Sequence, residues 1–134
     1  MLQLFKVGVF AFTILFVNQV LSGENSVENK LPVLEILKWK SKKNVSDENM
    51  IESVANMVKD LNSLKGFLHQ ALYKSSSGEW IDIYYWETEE DAYASSTSMA
   101  DKKSYTNLIN LIEPESVTIE VIHQLQSSGG FSFK

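Results

Sequence analysis

EWIDIYYW, Glu79 to Trp86, has the period of two that an extended chain imposes: Ile81, Ile83 and Tyr85 fall on one side, and Trp80, Asp82, Tyr84 and Trp86 on the other. The run before it, FLHQALYK from Phe67 to Lys74, is rich in strand-forming residues, and Ser75-Ser76-Ser77-Gly78 joins the two. Together they predict an antiparallel hairpin. The aliphatic side of its second arm suits a core packed by helices. The aromatic side is left to face something else.

Both flanks of the hairpin carry helix signals. Upstream, Ser46 precedes Asp47 and Glu48, an N-cap followed by acids where the helix dipole favours them. Met50, Ile51, Val54, Met57, Val58, Leu61 and Leu64 then recur at helical spacing, and Gly66 supplies a stop. Downstream, Thr88 with Glu89, Glu90 and Asp91 repeats the capped start. That second helix runs towards Leu108–Ile112, with Ser95–Ser98 as a place for a bend, and ends at Glu113-Pro114-Glu115. Val33 to Lys40 is a first strand and Val117 to Leu125 a last one. On the first strand Val33, Glu35, Leu37 and Trp39 share a side.

The order β-α-β-β-α-β predicts an α+β, ferredoxin-like domain: a four-stranded antiparallel sheet with two helices on one face. The other face would then carry Trp80, Tyr84 and Trp86, too apolar a patch for water, and pairing of two copies through their sheets is the expected remedy.

Beyond the domain, Lys6 followed by the apolar run Val7 to Val17 has the form of a cleaved export signal and is too short for a membrane anchor. The expected layout is a leader at 1–22, a linker at 23–31, the domain at 32–126 and a flexible tail at 127–134, with the mature protein secreted or periplasmic. There is no cysteine, so disulfides and thiolate metal sites are excluded. The chain has no arginine and a net charge of −5, which disfavours nucleic acid as a partner. His69 and His123 lack any metal-ligand spacing, so no metal is expected.

Three segments carry a family resemblance: Lys65-Gly66-Phe67-Leu68, Ser77-Gly78-Glu79-Trp80 and, above all, Asp82-Ile83-Tyr84-Tyr85-Trp86-Glu87-Thr88-Glu89-Glu90-Asp91-Ala92-Tyr93. Over about Pro32 to Gln126 the chain resembles the dimeric α+β barrel superfamily, most of all its antibiotic-biosynthesis monooxygenase-like (ABM) group. That group includes oxygenases that use neither metal nor flavin, haem-degrading enzymes and proteins of unknown role. The resemblance implies a homodimer and a pocket lined by an asparagine, a tryptophan four residues later and a tyrosine early in the next helix. Asp82 and Trp86 match the first two positions, and Tyr93 lies one residue past the third. Aspartate is a departure, since its ionised form cannot donate a hydrogen bond. The haem-degrading branch is matched less well, because Ser95 and Tyr105 stand where it has tryptophan and histidine.

The expected site therefore has Asp82, Trp86 and Tyr93 as catalytic groups, with Trp80 and Tyr84 binding a small hydrophobic or aromatic ligand. Asp82 would take a phenolic or enolic proton, and no cofactor is implied. Two functions stay open: a cofactor-independent monooxygenase, and an exported ligand-binding or structural barrel without chemistry.

Overall fold

The computed structural model describes residues 30–129. The leader expected at 1–22 lies outside them, as do most of the linker and most of the tail. No helix among the described residues is long and apolar enough to cross a membrane.

The chain forms β1 (Val33–Trp39), α1 (Asp47–Leu61), β2 (Phe67–Lys74), β3 (Trp80–Trp86), α2 (Glu89–Met99), α3 (Lys103–Ile109), a 3-10 turn (Pro114–Ser116) and β4 (Thr118–His123). The four strands make one antiparallel sheet in the order β2-β3-β1-β4. Both capped starts are as expected: Ser46 Oγ accepts from the Asn49 amide at 3.2 Å, and Thr88 Oγ1 from the Asp91 amide at 3.1 Å.

The second helix is two helices. Met99 and Leu108 are both buried, yet nine residues at about 100° each put them on opposite sides of one continuous helix. The chain breaks between them, at Ala100–Lys102, so that each segment turns its own apolar residues inward. The bend does not fall at the serines. Ser95 and Ser98 donate to the Ala92 and Ala94 carbonyls at 2.6 and 3.1 Å, which keeps their hydroxyls within the helix.

The expected assignment of the sheet faces is reversed. Trp80, Tyr84 and Trp86 pack with Trp39, Met50, Val54, Met57, Leu61, Ala92, Met99, Leu108 and Ile112 in the core under the helices. The open face carries the aliphatic side of β3, where Ile81 and Ile83 stand beside Lys38 and Ile36 of β1. Side-chain size accounts for the reversal. The sheet-facing residues of α2 include Ala92 and Ser95, and large rings on the sheet fill the space these short side chains leave.

Candidate functional site

Strand register sets the helix-facing side of the sheet in rows. Phe67, Trp86, Val33 and His123 form one row across all four strands, and Gln70, Tyr84, Glu35 and Val121 form the next. Leu72, Asp82, Leu37 and Ile119 follow, and then Lys74, Trp80 and Trp39. Two carboxyl groups thus stand in adjacent rows on adjacent strands, Glu35 on β1 and Asp82 on β3, in a layer whose other polar members, Gln70, Lys74 and His123, lie on the edge strands β2 and β4.

Asp82 is fully buried. The Tyr84 hydroxyl donates to its Oδ2 and the Gln70 amide to its Oδ1, each at 2.5 Å. Burial pushes its pKa up to about 6, against the lowering effect of these bonds. Glu35 is 7% exposed, and the Trp86 indole donates to its Oε2 at 3.1 Å. Burial, and then the charge of Asp82, raise it to about 7. Burial first, and Asp82 next, hold the Tyr84 hydroxyl well above the ordinary phenol range. Among the described residues, neither carboxylate has an ion-pair partner.

Of the five expected residues, the structure brings Asp82, Tyr84 and Trp86 into this cluster. Trp80 is buried two rows from Tyr84, beside Trp39, with the Lys74 ammonium 4.9 Å from its ring centre. Tyr93 is 60% exposed on α2, and its hydroxyl bonds Glu89, which raises its pKa. Sequence reasoning missed Glu35 and Gln70. The available signal was Glu35 alone among Val33, Leu37 and Trp39, a carboxylate on an apolar strand face. His123 bonds Glu89 at 3.0 Å, and no group of three or more potential metal ligands occurs among the described residues.

A buried acid pair held near neutral pKa can accept a proton at physiological pH. The two differ in reach. Both Asp82 oxygens are occupied, whereas Glu35 accepts only the Trp86 indole and has some exposure.

No family model and no curated protein matches this sequence. Solved structures do. A mutant of SnoaB, a cofactor-independent oxygenase from Streptomyces nogalater, is similar at TM-score 0.60 and 11% identity, over 72% of this chain and 95% of the other. A protein of unknown function from Nitrosomonas europaea is similar at TM-score 0.60 and 12% identity, over 77% and 98%. A putative antibiotic biosynthesis monooxygenase from the same organism is similar at TM-score 0.58 and 13% identity, over 75% and 96%. Likeness at such identities concerns the backbone. The chain shares the α+β, ferredoxin-like fold of these proteins.

Proposed function

We propose that the protein handles a small aromatic or enolic molecule at the Glu35–Asp82 cluster, as a cofactor-independent monooxygenase. The observation that carries this reading is the pair of buried carboxyl groups in adjacent rows, Asp82 bonded by Tyr84 and Glu35 by Trp86, with no ion-pair partner for either among the described residues. The substrate hydroxyl passes its proton to the Tyr84 oxygen as Tyr84 passes its own to Asp82 Oδ2. The resulting carbanion bonds dioxygen at carbon and takes back a proton to form a hydroperoxide, which loses water to leave a carbonyl, so that the substrate supplies the electrons and the second oxygen atom leaves as water. Tyr84 and Trp86, buried in the core, position the two carboxyl groups through their hydrogen bonds, and Tyr93 stands outside at the surface.

The test starts from the compound that co-purifies with the protein from its native cell, identified by mass spectrometry. Oxygen uptake on that compound is expected for the parent chain. For Asp82→Asn, which keeps the size of the side chain, it should fall by about a hundredfold or more while the variant still unfolds in a single cooperative thermal transition. Unchanged uptake would sink the role of Asp82.

A second reading, ligand binding without turnover, draws on the occupation of both Asp82 oxygens in the resting protein. It expects a retained compound and no oxygen uptake from the parent.

Export and a homodimer complete the proposal. The leader at 1–22 would be removed on the way to a secreted or periplasmic location, so intact mass from the native cell should match a chain beginning near Gly23. The two sheets would meet through the open, aliphatic face rather than the aromatic one.

A further inference from the structure

A short motif in the loop between β1 and α1 takes no part in the carboxyl cluster. Asn44-Val45-Ser46 has the form of an acceptor for N-linked oligosaccharide, an asparagine with a hydroxyl residue two places on and no proline between them. Asn44 is alone among the nine asparagines of the chain in having serine or threonine at that distance, so any such glycan has one place to stand. The motif requires an accessible surface loop.

The structure supplies one. The Val45 amide donates to the Lys42 carbonyl at 3.4 Å, closing a turn with Lys43 and Asn44 at its tip. Asn44 takes φ +68° and is exposed, as are Lys42, Lys43 and Ser46. Asparagine tolerates that conformation because its short side chain can bond nearby backbone. Here the Asn44 carboxamide makes no hydrogen bond among the described residues, so its nitrogen is not committed to holding the turn. Ser46 has a local duty of its own, since its Oγ accepts from the Asn49 amide at 3.2 Å and caps α1.

The place also suits the rest of the molecule. The loop lies at the end of the sheet that carries the β2–β3 turn: Trp39 pairs with Trp80, and Lys74 bonds Asp47 at 2.6 Å. Ile36 and Ile83, on the open face, are three register steps from that end, roughly 10 Å. A bulky, hydrated oligosaccharide on Asn44 therefore stands clear of the middle of the face through which two copies would meet.

We infer that Asn44 carries an N-linked oligosaccharide, attached as the chain enters a eukaryotic secretory pathway. The donor is an oligosaccharide carried on a lipid diphosphate. Asn44 Nδ2 attacks the first sugar at its anomeric carbon; a C–N bond forms, the C–O bond to the diphosphate breaks, the lipid diphosphate leaves with that electron pair, and the amide proton passes to a base of the transferase. The inference rests on the proposed export, and it narrows the two destinations offered there to secretion.

Protein from the native cell, digested and mapped by mass spectrometry before and after peptide N-glycosidase treatment in heavy-oxygen water, decides both points. The peptide holding Asn44 should carry several added masses that collapse to one on treatment, with Asn44 converted to labelled aspartate. A mature chain beginning near Gly23 with Asn44 unmodified overturns the glycan and leaves export standing. An uncut leader with Asn44 unmodified overturns both. This measurement needs no variant to fold.

Two changes at Ser46 then separate modification from helix capping, in the full chain expressed by a eukaryotic secretory cell line. Ser46→Asp keeps a favoured cap for α1 but lacks the hydroxyl that the motif needs, and should leave the cell at the mass of the bare polypeptide. Ser46→Thr keeps both cap and motif, and should retain the added mass. Added mass that survives Ser46→Asp and is still released by the glycosidase overturns the assignment to Asn44.

Discussion

Glu35 and Asp82 tie the stability of the protein to pH. An ordinary glutamate ionises near 4.5, and burial moves Glu35 to about 7. As pH rises between those values the unfolded chain ionises while the folded chain holds its proton, so the stability Glu35 contributes is fully present below about 4.5 and is lost by about 7. Asp82 adds a loss between 3.8 and about 6. The Glu35 share corresponds to about 3 kcal/mol. Glu35→Gln keeps an acceptor for the Trp86 indole without the ionisation. Its melting temperature should therefore fall less than the parent's between about pH 4 and about pH 8, and exceed the parent's at the upper end. Parallel profiles in thermal denaturation would refute this account. Alternation in VLEILKW already puts Glu35 on the side of Val33 and Trp39. It does not reveal Trp86 and Asp82 as neighbours, because strands distant in sequence become adjacent only through the order β3-β1.

Where elements meet, the turn from α1 into β2 is locked against the start of α2. Gly66 has φ +76°, and its carbonyl accepts from the Glu87 amide at 2.8 Å. A Cβ on Gly66 would overlap the Asp91 side chain, which Thr88 holds through a hydroxyl bond of 2.7 Å and Lys65 through an ion pair. Gly66→Ala thus meets both an unfavourable backbone conformation and a collision, and should cost roughly 2–4 kcal/mol in denaturant unfolding. Asp91→Ala removes the two nearest atoms, Oδ2 and Cγ, and leaves the Asp91 Cβ at 2.7 Å, so the double variant should be destabilised by less than the sum of the two single changes. Additive losses would mean that the backbone conformation and the remaining Cβ contact are responsible. The glycine stop and the Thr88 cap were legible in the sequence because both are local chemistry. The break at Ala100–Lys102 has no glycine or proline to mark it. It follows from the mismatch between Met99 and Leu108, which shows only once both are known to be buried.

For the whole molecule, the open sheet face decides the state of association. Strand alternation distinguishes two faces but does not say which one the helices cover; the short side chains of α2 settle that by demanding bulky rings beneath them. The uncovered face holds Leu34 and Ile36 of β1, Ile81, Ile83 and Tyr85 of β3 and Ile122 of β4, and no described helix lies over it. Ile83 sits at its middle, in register with Ile36 on one side and Ala71 on the other. Such a surface is unfavourable in water, and a second copy of the same face offers a self-complementary cover. Light scattering should therefore find the parent chain as a dimer at micromolar concentration. Ile83→Glu would place a charge at the centre of the joined sheets without touching the helix-facing rows, and removing that charge from water costs several kcal/mol. The variant should be a folded monomer, with the near-ultraviolet signal of the buried tryptophans retained. A parent that stays monomeric at high micromolar concentration would mean that the aliphatic face is covered within one chain. An Ile83→Glu variant that stays dimeric would mean that the copies meet elsewhere.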